Sequence, residues 1–193
     1  SRPPETILQE ARTLIAGGAR ELTLVAQETT AYGRDLQPPA DLARLLNRLA
    51  LLDPSVWIRL MYGHPESIQP EVMEAIARHA NLCSYVDIPI QHAAAGVLRR
   101  MGRHYTDQDL LRLFETLRRQ VPDVALRTTV LVGFPGETED DFAQLKAFVS
   151  QVRFDHLGVF AYSDAADLPS HGLDGHVDGR PAPERLDELM ALQ

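Results

Sequence analysis

Five short apolar runs, separated by stretches with helical spacing, constrain this 193-residue chain more than any other feature. The runs are residues 21–27 (ELTLVAQ), 57–62 (WIRLMY), 84–90 (SYVDIPI), 125–132 (ALRTTVLV) and 157–163 (LGVFAYS). Between them lie helical stripes: Leu42, Leu45, Leu46 and Leu49; then Val72, Ile76 and His79 after Pro70; then Leu110, Leu113, Phe114 and Leu117 behind Thr106 and Asp109; then Phe142, Leu145, Phe148 and Val149. Another stripe, Ile7, Leu8, Ala11, Leu14 and Ile15, precedes the first run and ends at Gly17-Gly18. Strands that alternate with helices predict a parallel sheet with right-handed crossovers. Each repeat is the size of a βα unit of a barrel. The expected fold class is therefore α/β, a partial (β/α) barrel. Because such a fold starts on a strand, a first strand is expected upstream, which leaves residues 21–27 as an open edge.

The run at 125–132 is the most informative of the five. Leu126, Thr128, Val130 and Val132 share one face, suited to a layer of helices; Ala125, Arg127, Thr129 and Leu131 share the other. Gly133-Phe134-Pro135-Gly136 then breaks the strand. Thr138 with Asp141 three residues on predicts a capping box, and Glu139 and Asp140 suit the first turn of a helix. Glycine-rich turns at the carboxyl ends of strands are where α/β proteins hold small ligands. By itself the sequence allows a plain βα turn as well as a backbone edge for an adenine or ribose.

Composition narrows the partners. No apolar run is long enough to cross a bilayer, and no signal peptide is visible. A net charge of −8 argues against a nucleic-acid surface and fits a small molecule or a basic protein better. The single cysteine, Cys83, excludes an internal disulfide and a thiolate-held cluster built from this chain alone. It reads as a small core hydrophobe.

Working groups of parallel barrels gather at the carboxyl ends of strands. Those ends carry Gln27, Glu28, Thr29 and Thr30; His64 and Glu66; Gln91 and His92; Gly133 to Glu137; and Tyr162 with Ser163. Deeper inward positions hold Arg59, Asp87, Arg127 and Thr129. On neighbouring strands, Asp87 would lie between the Arg59 and Arg127 guanidiniums, since a buried charge needs a partner. Such a triad either aims donors at a ligand carboxylate or the substrate, or satisfies itself as an interior ion network. His92, at a strand end, is the one histidine read as a site residue. No histidine pair has metal-site spacing, and no Walker loop, G-x-S-x-G or G-x-G-x-x-G occurs.

Four segments in order, AQETTAYGRD, YVDIPIQH, GFPGETEDDF and RLDELMALQ, resemble the radical S-adenosylmethionine methylthiotransferase family over the whole chain. Glu28-Thr29-Thr30 and Gln91-His92-Ala93 resemble its ribosomal-protein branch more than its tRNA-modifying branch. The resemblance implies a radical-SAM partial barrel of about six units. It also implies an enzyme, a transferase that methylthiolates an aspartate of small-subunit ribosomal protein twelve. Its cofactors would be S-adenosylmethionine and two 4Fe-4S clusters. By position, Gly133, Phe134, Pro135 and Gly136 would line the adenine. Gln27, Thr29 and Gln91 would approach the ligand, Arg127 and Thr129 would sit near its ribose or carboxylate, and Tyr162 would close the far side. Family members hold the clusters with C-x-x-x-C-x-x-C and with three cysteines of an N-terminal domain, and end in a small β-barrel. This chain has none of these, so it is expected to be a fragment that binds no cluster and is inactive alone. Residues 1–163 would be the truncated barrel, 164–182 a loop, and 183–193 the start of a helix leading to a further domain. A cytoplasmic location, no membrane and no direct nucleic-acid contact are expected. A tRNA methylthiotransferase and a cluster-free binding module are the alternatives.

Overall fold

The computed structural model describes residues 1–176 and 181–193. Its chain divides into two compact units, Ser1–Ile88 with Glu115–Ala125, and Pro89–Phe114 with Leu126–Gln193. The expected loop at 164–182 therefore lies partly outside the described residues.

The first unit opens with α1 (Pro4–Ala16), where Pro4 sits at a position whose N–H has no helical partner to lose. Strand β1 (Glu21–Leu24) pairs in parallel with β2 (Trp57–Leu60), Thr23 opposite Arg59. Between them, α2 (Leu42–Ala50) starts on Asp41, whose carboxylate accepts the Arg44 N–H at 3.0 Å, and buries Leu45, Leu46 and Leu49. Helix α3 (Pro70–Arg78) packs on α2 and buries Val72 and Ile76. Strand β3 (Tyr85–Asp87) follows.

These strands are shorter than the apolar runs predict. Tyr62 has φ +57° and gives its N–H to the Asp87 carboxylate at 3.1 Å, so the ladder stops before it. Pro89 has no N–H to offer beyond β3. Polar turn contacts thus replace sheet where the sequence still looks extended.

The second unit begins with α4 (Ala95–Arg100), which the sequence does not announce because AAAGVLRR carries only Val97 and Leu98 as a buried face. Helix α5 (Asp107–Gln120) starts on the predicted Thr106–Asp109 box: each side chain takes the other's N–H. Strand β4 (Ala125–Val132) alternates as predicted, with Leu126, Thr128, Val130 and Val132 buried. It pairs in parallel with β5 (His156–Ala161), Thr129 opposite Gly158. Helix α6 (Glu139–Val152) buries Phe142, Leu145, Phe148 and Val149, and α7 (Pro181–Leu192) packs on β5 and α6. No helix among the described residues is long and apolar enough to cross a membrane.

The cap of α6 is the predicted box. Thr138 Oγ1 accepts the Asp141 N–H at 3.2 Å, and Asp141 Oδ2 accepts the Thr138 N–H at 3.0 Å. Thr138→Ala removes the first of these bonds, so chemical denaturation should read a loss of about 1 kcal/mol. An unchanged midpoint would mean that the box adds nothing to stability.

Candidate functional site

The turn after β4 is built around two glycines. Gly133 has φ +76° and Gly136 φ +85°, a region that side chains strain to occupy. A Cβ on Gly133 would also overlap the Cβ of Ala182 in α7, and one on Gly136 would lie 2.7 Å from Arg100 Nε. Three tethers hold the turn. Glu137 closes it, its carboxylate accepting the N–H groups of Gly133 and, at 3.2 Å, of Phe134. The Gly136 N–H donates to Gly175 O at 2.7 Å. Arg100 Nε donates to Pro135 O at 2.9 Å while its Nη2 holds Asp174. That hydrogen bond keeps the Asp174 carboxyl below the usual carboxylate range.

Phe134 is thereby held in a small core, 7% exposed, with one apolar face bordering a hollow. Its ring meets Tyr162 edge-on at 5.2 Å, and it packs with Ala94 and Val97, flanked by Met101, Leu131 and Leu173. Tyr162 shares its O–H between Ser170 Oγ at 2.9 Å and Asp164 Oδ1 at 3.0 Å. Beside this face opens a hollow of about 500 Å³, lined by Gln91, Leu131, Phe134, Ser170, Arg100 and Arg103 among others. An apolar wall with a few polar groups at this volume suits a nucleoside-sized ligand. Gln91 enters it on a backbone of φ +65°, fixed against β4 by bonds from its N–H to Thr129 O and from the Leu131 N–H to its own O.

Arg127 and Thr129 share the Leu131 face of β4 and are half-buried, Arg127 Nη1 donating to Thr129 Oγ1 at 3.3 Å. Gly158 opposite them leaves room; a Cβ there would stand 3.3 Å from Thr129 Oγ1 and 3.5 Å from Arg127 Nη2. So the second unit sets Gln91 and Phe134 on the hollow, with Pro135, the two glycines and Tyr162 around Phe134, while Arg127 and Thr129 lie further back along β4, outside the lining of the hollow.

His92 lies elsewhere in this unit. It is fully buried, its Nδ1 accepts the Ala94 N–H at 3.0 Å, and its Nε2 is 3.8 Å from Glu137 Oε1. Arg185 of α7 reaches the same carboxylate, Nη1 to Oε1 at 3.2 Å. The sequence reading missed Arg185. The available signal was a cation four residues before Leu189 on the stripe that α7 buries.

The remaining predicted residues belong to the first unit. Gln27 is exposed. Thr29 sits in a short 3-10 turn, Thr29–Ala31, and is buried, its Oγ1 donating to Met61 O at 2.6 Å. Thr30 and Ser67 hydroxyls meet at 2.6 Å, and Ser67 also donates to Glu28 at 2.6 Å. The expected place of Arg59 beside Asp87 needs correction. Arg59 Nε binds Glu21 Oε1 at 2.7 Å, and its guanidinium lies over the Tyr85 ring at 4.8 Å. The cause is register: with Thr23 opposite Arg59, Glu21 is the diagonal neighbour on β1. That hydrogen bond holds the Glu21 carboxyl low. Asp87, 2% exposed, takes the Tyr62 N–H instead of the Arg59 guanidinium.

Cys83 is half-buried in a hollow of about 360 Å³ with Trp57, Arg59 and Tyr85. Burial pushes its thiol above the ordinary range. Alkylation by iodoacetamide at pH 8 should therefore run at least ~3-fold slower than that of a free thiol, since only the thiolate attacks. A rate equal to that of free cysteine would contradict this burial. Among the described residues no group of three or more His, Cys, Asp or Glu is placed to hold a metal ion.

Comparison with known proteins adds to this geometry. The signature of the Radical SAM superfamily matches residues 1–149. The ribosomal protein uS12 methylthiotransferase RimO of Desulfosudis oleivorans is 54% identical across all of this chain, and that of Clostridioides difficile 48%. The chain spans only 44% of either relative's length. Among solved structures, coproporphyrinogen III oxidase HemN of Escherichia coli, a radical SAM enzyme, superposes with a TM-score of 0.66 at 16% identity. That match covers 97% of this chain and 44% of the other. The radical S-adenosylmethionine methyltransferase TsrM of Kitasatospora setae, solved with cobalamin and a [4Fe-4S] cluster, gives 0.64 at 22%, covering 83% of this chain and 31% of the other. These two likenesses show the fold, and the expected α/β class of radical-SAM type with parallel strands is what the chain adopts.

Proposed function

This chain belongs to the radical SAM superfamily, and on that ground we propose that it is the central part of a methylthiotransferase acting on ribosomal protein uS12. Residues 1–163 are the radical-SAM portion, and helix α7 (Pro181–Leu192) belongs to the part that follows it. The observation that carries this reading is the glycine turn with its adjoining hollow, in a chain 54% identical along its whole length to one such enzyme.

Residues of the second unit fit S-adenosylmethionine. The Phe134 face and the backbone edge of Gly133 to Gly136 receive the adenine. Gln91 binds alongside, Arg127 and Thr129 meet the ribose or the carboxylate, and Tyr162 closes the far side. When bound, S-adenosylmethionine with a reduced 4Fe-4S cluster supplies the one-electron chemistry. The residues of this chain do not fit the cluster, because Cys83 is the single thiol and is half-buried. No step is therefore assigned to it; what this chain contributes is binding, orientation and exclusion of water around the nucleoside. The partner is a ribosomal protein in the cytoplasm, and a net charge of −8 suits that basic partner better than an RNA.

Deleting the gene for the full-length protein tests the reading. Mass spectrometry of uS12 should then find the aspartate peptide without its methylthio group, with tRNA nucleosides unchanged. Loss of a methylthio nucleoside with uS12 unchanged would move the protein to the tRNA-modifying branch.

A further inference from the structure

Behind the turn lies a buried charge cluster that the ligand contacts do not use. The Glu137, His92 and Arg185 side chains are 0%, 0% and 6% exposed. One Glu137 oxygen, Oε2, holds the Gly133 and Phe134 N–H groups. The other, Oε1, faces Arg185 Nη1 at 3.2 Å and His92 Nε2 at 3.8 Å, yet neither contact has hydrogen-bond geometry, and Arg185 Nε has no hydrogen-bond partner among the described residues. Since His92 Nδ1 accepts the Ala94 N–H, the neutral ring carries its proton on Nε2, towards Glu137. Arg185 Nη2 reaches out of the cluster to Glu139 Oε1 at 2.6 Å, at the start of α6. A carboxylate buried this deeply calls for a cation beside it, and Arg185 supplies it.

The same helix touches the turn a second time, where Ala182 fills the space that a side chain on Gly133 would need. We propose that Arg185 is a positioning residue: through Glu137 it sets the Gly133 and Phe134 amides and the Phe134 face. The docking of α7 is thereby coupled to S-adenosylmethionine binding. The inference rests on the functional reading above for the identity of the ligand. The contact geometry stands without it. The coupling is reciprocal, so bound ligand also tightens α7 onto the turn.

The test uses the full-length protein. S-adenosylmethionine affinity is measured by equilibrium dialysis, and amide hydrogen exchange is followed by mass spectrometry on the peptide spanning 131–138. R185Q is expected to weaken binding about tenfold. It should also speed exchange of that peptide, with α2 peptides of the first unit unchanged, a local signature that a general loss of stability does not give. R185K keeps the charge but not the two-armed reach, so it should weaken binding roughly threefold and serves if R185Q does not fold. Wild-type affinity and wild-type exchange in the variant that folds would overturn the proposal. If the unaltered protein does not bind S-adenosylmethionine, the functional reading fails instead, and exchange of the turn peptide alone decides whether Arg185 holds it.

Discussion

Glu137→Ala is expected to cost about 3–5 kcal/mol of folding free energy, the range for removing one partner of a buried ion pair. Three effects add in one direction. The Gly133 and Phe134 N–H groups lose their acceptor, and both lie in buried backbone. Arg185, with Nη1 3.2 Å from the lost oxygen and almost without solvent, loses its buried counter-ion and keeps only the exposed Glu139 carboxylate on Nη2. A cavity replaces the side chain. Urea unfolding with a single cooperative transition reads the sum. A loss under about 1 kcal/mol would mean that water reaches the cluster and that the pair is not buried in solution.

Gly133→Ala should be comparably damaging, about 2–4 kcal/mol, from backbone strain at φ +76° plus the overlap with Ala182. Gly102→Ala separates the two causes. Gly102 has φ +70° but nothing within 4 Å of the place its methyl would take, so it carries the strain alone, roughly 1 kcal/mol. The difference between the two variants reads the overlap with α7. Equal losses would show that α7 is not seated on the turn. Gly133→Ala should also weaken S-adenosylmethionine binding in the full-length protein, because the backbone edge it displaces is the proposed adenine wall.

What was legible in the sequence was local. Alternation along β4, the Thr138–Asp141 and Thr106–Asp109 boxes and the helical stripes depend on residues within a few positions of one another, and the structure has them where the pattern puts them. The glycine turn was legible too, because only φ > 0 or close approach calls for glycine at the end of a strand, and Gly133 meets both conditions. Strand ends were not, since Tyr62 and Gln91 leave extended geometry for partners distant in sequence, the Asp87 carboxylate and β4. Arg59 went astray because a period-2 reading gives its face but not the diagonal neighbour that takes its charge. Helix α4 offers too short an apolar face to show a period. Arg185 and Glu137 are far apart in the chain, and only the folded unit reveals that they share one dry pocket.

The turn of Gly133 to Gly136 and the hollow beside it are proposed to receive S-adenosylmethionine. Hydrogen exchange of the full-length protein, with and without saturating S-adenosylmethionine, tests it most directly. Slowed exchange is expected in the peptides that carry 131–138, Gln91 and Tyr162. Slowed exchange confined to peptides outside this unit, with the turn unchanged, would contradict it.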